Sequence, residues 1–294
     1  MPLVIDRRSF LIRTVAAGGM LEYAWRLRGQ QPAAAQVRLA LLSDTHIAAD
    51  RTDSYRGFHP FDNLRKTLGQ VTALPFEGVI VNGDLARLEG KPPDYERFAD
   101  LIDPVAEHSA LVVSLGNHDD RRNARKALSR LSGETQPVEQ KLVTVFEAGP
   151  LRFILLDSLL ATNVTPGQLG KSQRDWLDAY LGGNKDRATV VFVHHNPDPD
   201  SDIGLVDAAK LLAILQPHGH VKALFYGHLH IYRHEQANGM HLINLPAVGY
   251  NFADGEVVGW IEATFTGTGA TLKLHAIGGE TKNDGAVTTL NWRA

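Results

Sequence analysis

Short, almost unbroken apolar runs recur along the chain, and most of them end in a polar cluster. Val37–Leu42 leads into Ser43-Asp44-Thr45-His46, Gly78–Val81 into Asn82-Gly83-Asp84, and Leu111–Leu115 into Gly116-Asn117-His118-Asp119. Val190–Val193 precedes His194-His195, and Ala223–Tyr226 precedes Gly227-His228-Leu229-His230. Runs this short and this continuously apolar predict strands buried on both faces. Between them the spacing becomes helical. Phe61, Leu64, Leu68 and Val71 follow the i, i+3, i+4 rule, as do Tyr95, Phe98, Leu101 and Ile102, with Pro104 expected to end or kink that second helix. Trp176, Leu177 and Tyr180 mark a third helix, and Val206, Ala209 and Leu212 a fourth. Leu142–Phe146 and Leu151–Leu156, joined across Ala148-Gly149-Pro150, read as a hairpin. After residue 240 the pattern is mainly β, through His241–Leu245, Val257–Phe265 and Thr271–Ile277. Alternating strands and helices predict an α/β layered fold, and with no repeat or clear linker residues 36–294 read as one domain.

The composition, 44% hydrophobic and 21% charged, is that of an ordinary globular chain. No stretch approaches the roughly 18 uninterrupted apolar residues of a membrane span. Cysteine is absent, so any metal must be held by nitrogen and oxygen.

Residues 1–35 read differently. Asp6-Arg7-Arg8-Ser9-Phe10-Leu11, a weakly apolar Ala/Gly-rich run and Pro32-Ala33-Ala34-Ala35 resemble a twin-arginine signal peptide, which implies a periplasmic or secreted protein. An ordinary N-terminal helix is the competing reading, because Arg13 and Glu22 interrupt the apolar run. The segment carries a net +3, and its removal takes the chain from −3 to −6. An acidic body is a poor match for long nucleic acid, whose binding rests on cationic contacts to phosphates.

In open α/β sheets ligands bind where strands end and loops converge. Five strand ends here carry Asp, Asn or His. Singly each is weak: Asp44-x-His46 can arise by chance, Gly83-Asp84 is a common turn, and Asn117-His118 can cap a helix. Jointly they form a carboxylate, amide and imidazole set suited to Mn, Fe, Zn or Co. Two ions roughly 3.5–4 Å apart also need a bridging ligand, which a carboxylate supplies.

The order Asp44-x-His46, Gly83-Asp84, Gly116-Asn117-His118-Asp119, His194, Gly227-His228-x-His230 resembles the calcineurin-like metallophosphoesterases over roughly residues 37–250. The resemblance implies a four-layer α/β/β/α sandwich with two packed mixed β-sheets. It also implies a centre of two metal ions, drawn from Fe, Mn or Zn. Asp44, His46 and His230 would hold the first ion, Asn117, His194 and His228 the second, with Asp84 bridging. His118 would be the catalytic histidine beside the metals, and Asp119 a support for its loop or for a neighbouring histidine. His194 and His195 are adjacent, and pleating lets only one face the metals. By the family pattern that one is His194, leaving His195 to line the pocket or close the turn before Pro197.

Two-metal chemistry makes hydroxide available for in-line attack on phosphorus, with His118 neutralising charge and protonating the leaving group. The run Gly116-Asn117-His118-Asp119-Asp120-Arg121 resembles the branch containing cyclic-nucleotide and glycerophosphodiester phosphodiesterases. Residue 87 is Arg where purple acid phosphatases carry a tyrosine ligand. A phosphodiesterase of small-molecule esters is therefore expected, with a phosphomonoesterase as the alternative. A nuclease or a non-catalytic scaffold fits less well. His59, His108, His218, His220, His234, His241 and His275 read as surface or structural, with cleft lining the alternative for His59. The basic stretch Arg121, Arg122, Arg125, Lys126 and Arg130 reads as a solvated helix face, with a phosphate contact the alternative for Arg121 or Arg122. Substrate choice is expected in loops 50–60, 85–95 and 158–171.

Overall fold

The computed structural model describes residues 35–294, of which Gln36–Ala294 form one compact unit. Among the described residues, thirteen strands make two mixed sheets. The first is six-stranded, in the order β13-β12-β11-β1-β2-β3, with β1 (Val37–Leu42), β2 (Gly78–Asn82), β3 (Ala110–Ser114), β11 (Val257–Phe265), β12 (Gly269–Gly279) and β13 (Val287–Asn291). The second is seven-stranded, in the order β4-β5-β6-β7-β8-β10-β9. Its strands are β4 (Glu134–Thr135), β5 (Thr144–Ala148), β6 (Leu151–Leu155), β7 (Ala188–Phe192), β8 (Val221–Tyr226), β9 (Arg233–Ala237) and β10 (Met240–Asn244).

The two-residue pleat explains why the strand sequences are apolar throughout. Leu39 and Leu41 of β1, Ile80 of β2, Phe153 and Leu155 of β6 and Val190 and Phe192 of β7 belong to one cluster shared by the two sheets. Their neighbours face outward. Ala40, Leu42, Val79 and Val81 pack under α1 (Pro60–Thr72) and α2 (Pro92–Ala106), whereas Ile154, Val191 and Leu224 pack under α4 (Lys171–Gly183) and α5 (Ala208–Leu215). This is the four-layer α/β/β/α sandwich. A short α3 (Arg121–Ala127) follows β3, N-capped by the Asp120 carboxylate, which accepts from the Asn123 N–H at 2.9 Å.

Three details differ from the sequence expectation. Pro104 does not break α2, which continues to Ala106; lying in the last turn, it forfeits one internal bond and its ring stays exposed. Helix α5 buries Ala208, Leu211 and Leu215, not Val206, Ala209 and Leu212. Val206 lies before the helix, in a loop tied by Gly167 hydrogen bonds, and is exposed. The apolar run Leu211-Leu212-Ala213-Ile214-Leu215 is helix on one buried stripe, and the sequence offers two phases of nearly equal apolarity. Strands β4, β9 and β13 carry no apolar run and are edge strands, made by pairing rather than by burial.

Candidate metal centre

The parallel pairing of β1 with β2 continues past both strand ends into their loops. The Asp44 N–H donates to Gly83 O at 3.1 Å, His46 N–H to Asp84 O at 2.9 Å, and Ile47 N–H to Leu85 O at 2.9 Å. The second sheet is stitched on by Asn82, whose amide donates to Val193 O at 3.0 Å, and by the Val248 N–H donating to Ser43 O at 2.9 Å. All seven predicted ligands thus meet at one edge of the sandwich. Among the described residues, nine non-glycine residues have left-handed backbone, and five of them are Asp44, His46, Asp84, His228 and His230. Asp and His tolerate that region better than most residues, and such clustering is typical of sites whose side chains must converge.

Convergence also demands missing side chains. A Cβ on Gly116 would lie 2.1 Å from Asp84 Oδ1, and one on Gly227 would lie 2.2 Å from Ser43 Oγ and 2.6 Å from Asp44 Oδ2. Each of these two glycines makes room for a carboxylate belonging to another motif.

Two triads result: Asp44, His46 and His230, and Asp84, His194 and His228, each with donor atoms within 4.8 Å of one another. Nδ1 of His46 donates to Arg87 O (3.2 Å), that of His194 to Asn82 O (2.9 Å), and that of His230 to Tyr250 O (2.6 Å). A carbonyl only accepts, so each Nδ1 carries a proton and each Nε2 is turned inward. The Nε2 atoms of His46 and His230 face each other at 3.1 Å. Further separations are 3.4 Å from His230 Nε2 to Asp44 Oδ1, 3.3 Å from His194 Nε2 to Asp84 Oδ2, and 3.7 Å from His46 Nε2 to that same Oδ2. Ligands about 2.0–2.2 Å from an ion at tetrahedral or octahedral angles lie about 2.8–3.6 Å apart. Asn117 Oδ1, His194 Nε2 and His228 Nε2 are buried with no hydrogen-bond partner. The residues fit metal, and Asp84 Oδ2 faces both triads.

The charges agree. Burial opposes ionisation of Asp44, but His230 and His194 beside it hold its carboxyl well below the usual range; His194 does the same for buried Asp84. Burial works against the His194 cation, yet Asp84 and Asp44 push it up to about 10. Burial pushes His46 down to about 3 and His228 down to about 4. A pocket that keeps two buried carboxylates ionised and recruits a proton to neutralise them is built for a cation.

His118 stands beside the triads. Its N–H donates to Asp84 Oδ1 at 2.9 Å and its Nδ1–H to Leu88 O at 2.9 Å, leaving Nε2 free. Geometry also groups it with His46 and Asp84 as a further possible ligand set. His195 is brought near but turned aside: its Nδ1 meets Ser158 Oγ at 2.7 Å and its ring packs 4.8 Å from that of His228. Asp119 holds the loop and touches no histidine, accepting from the N–H groups of Leu85, Ala86 and Gly116 and from the Tyr95 hydroxyl at 2.9–3.2 Å.

Two of the alternatives fail. His59 is exposed at the N-cap of α1 and does not line the cleft, because its loop turns outward, joined to the site by Tyr55 packing on Tyr250 at 4.7 Å. Arg121 is taken by the buried Asp157 (2.6 and 2.8 Å), and neither it nor Arg122 lines the cavity. That cavity, about 230 Å³, is walled by site residues together with Thr165, Ile203 and Phe252. Tyr250 stacks on His46 at 4.7 Å, and Phe252 on His230 at 4.1 Å. The sequence reading missed Tyr250, Phe252 and Ile203; the one available signal was aromatic residues in the loop following the β10 strand.

Residues 37–232 match the sequence pattern of the calcineurin-like phosphoesterases. A 3',5'-cyclic adenosine monophosphate phosphodiesterase CpdA of Pseudomonas aeruginosa is 29% identical over 228 residues, covering 75% of this chain and 79% of that protein. The glycerophosphodiester phosphodiesterase GpdQ of Enterobacter lignolyticus is 26% identical, covering 71% and 76%. In fold, a dimetal phosphatase from Danio rerio superposes with a TM-score of 0.68 at 18% identity, covering 87% of this chain and 99% of that one. The matched motifs, the four layers and the buried Asp/His cluster agree, and the chain belongs to the calcineurin-like phosphoesterase family.

Proposed function

We propose that this phosphoesterase is a two-metal phosphodiesterase for small diesters of the cyclic-nucleotide or glycerophosphodiester kind. The observation that carries the two-metal reading is Asp84 Oδ2, which faces His46 of one triad at 3.7 Å and His194 of the other at 3.3 Å. Asp44, His46 and His230 would hold one ion, Asn117, His194 and His228 the second, with Asp84 between them. Ions held there, of Fe, Mn or Zn, supply an activated water and neutralise phosphoryl charge.

The chain's own part falls to His118. With Nδ1–H held by Leu88 O, its Nε2 turns to the cavity and can pass a proton to the departing alkoxide. Asp84 Oδ1 fixes the His118 backbone, so acid and metal ligand move as one unit.

The lining favours diesters. Among the described residues, no Lys or Arg walls the cavity. Arg87 is held by Asp53 at 2.7 Å and by the Tyr55 and Tyr250 rings, and Arg121 by Asp157. A monoester dianion would add a second negative charge with no side-chain cation to meet it, whereas a diester carries one. The names of the CpdA and GpdQ relatives support the same choice. The test is hydrolysis of matched diester and monoester substrates by protein loaded with Mn, Fe or Zn. Diester preference is expected; a clear monoester preference refutes the substrate reading and leaves the metal site standing.

Export through the twin-arginine route is part of this proposal, resting on Arg7-Arg8-Ser9-Phe10-Leu11, which lies outside the described residues. An Arg7→Lys/Arg8→Lys variant should stay in the cytoplasm on fractionation, and unchanged periplasmic recovery would sink the idea.

A further inference from the structure

The wall of the metal cavity is polar except at its mouth, where Ile203 and Phe252 stand 49% and 52% exposed. Large apolar side chains left this open at the rim of a charged site cost hydration and call for an explanation. Phe252 is not a loose loop residue. Its ring stacks on His230 at 4.1 Å and 22°, and lies edge-on to Tyr250 at 5.8 Å. Its loop is tied down on both sides, by the Gly249 N–H to Asp44 O at 2.9 Å and by the Asn251 amide to Glu256 O at 2.7 Å. Ile203 sits opposite in sequence and origin, on a loop bound to the Thr165 loop by Gly167 N–H to Gly204 O and Val206 N–H to Gly167 O, both 3.0 Å.

The cavity of about 230 Å³ is smaller than the roughly 300–1,000 Å³ that encloses a whole small-molecule ligand. It takes the phosphoryl group and the nearest atoms of the alcohols, so the remainder of the substrate must rest on the rim. We infer that Phe252 and Ile203 form a substrate-selecting clamp for esters whose alcohol carries a flat, unsaturated ring, such as a nucleobase. This inference rests on the metal-centre reading above. A polyol such as glycerol gains nothing from an aromatic face and an isopropyl-like edge, while every nucleobase has a π-face that stacks without regard to sequence. The exposed position explains why no buried hydrogen-bonding group is set aside for the ring: the rim reads flatness and apolarity, not base identity.

The test compares 3',5'-cyclic adenosine monophosphate with the same ribose cyclic phosphate lacking the base, using Mn-loaded protein, and reads the ratio of the two kcat/KM values. Alanine replacement of a stacking aromatic costs roughly 5- to 150-fold. Phe252→Ala should lower the ratio by that factor, and Ile203→Ser should lower it less, since an aliphatic edge contributes less contact. Calorimetric binding of adenosine against ribose, neither of which carries a phosphate to cleave, reads the same preference without turnover. An unchanged ratio in Phe252→Ala, or equal losses on both members of each pair with metal released, overturns the clamp and makes Phe252 a shield for His230. If the wild-type protein cleaves monoesters alone, the diester reading fails while the binding ratio still decides the rim.

Discussion

Gly116→Ala tests how the motif glycines place the carboxylates. The new methyl would sit 2.1 Å from Asp84 Oδ1, 2.6 Å from Asp84 N and 2.7 Å from Asp84 Cγ. Non-bonded carbon contacts settle near 3.5–4.0 Å, so Asp84 must retreat by about 1 Å. Because one of the atoms struck is backbone, rotating the side chain cannot relieve the clash. Overpacking of this kind costs about 1–3 kcal/mol, and the retreat is several times the ±0.2 Å that a metal ligand tolerates. The substitution should therefore lower melting temperature modestly but strip metal and turnover severely. Gly69→Ala on α1 is the control: nothing lies within 4 Å of its Cβ, and alanine gains about 0.5–1 kcal/mol over glycine in a helix. Metal content by elemental analysis, thermal unfolding and diester turnover would be measured on both. Wild-type metal content and near-wild-type turnover in Gly116→Ala would refute the claim that this close approach positions Asp84.

His118→Ala should keep its metals and lose about 10²–10⁴-fold on substrates with poor leaving groups, with a smaller loss on p-nitrophenyl esters that need no acid; released metal would instead make His118 the ligand that its grouping with His46 and Asp84 allows. Lys141 holds the 158–168 loop through Leu159 O at 3.0 Å and Gln168 O at 2.7 Å, and burial pushes it from 10.5 down to about 8 against the pull of Asp157. Between those two values the unfolded chain binds the extra proton, so this group makes stability rise with pH, by up to about 3 kcal/mol. Comparing chemical denaturation of the wild type and Lys141→Met from pH 7 to 11 should show the wild type gaining on the variant across that window, and a constant difference would falsify the assignment.

Much of this molecule is written locally. Strands buried on both faces need unbroken apolar runs, so β1, β2, β7, β8 and β11 are legible from residue order alone. The candidate donors placed at strand ends are legible for the same reason, since a short run fixes where a strand must stop. What sequence order does not carry is any contact between loops far apart along the chain. The carbonyls of Arg87, Asn82 and Tyr250 choose the tautomers of His46, His194 and His230, across separations of 20 to 112 residues. Backbone carbonyls have no residue-type signature, so packing alone selects them. Arg121 and His59 looked available because their motifs adjoin the metals in sequence; the fold gives one to Asp157 and turns the other outward. Phe252 and Ile203 show the converse, being unremarkable in sequence and brought to the cavity mouth by loops whose course no periodicity encodes. The donor set was thus determined by local pattern, and its geometry, proton positions and rim by the packing of two sheets against each other.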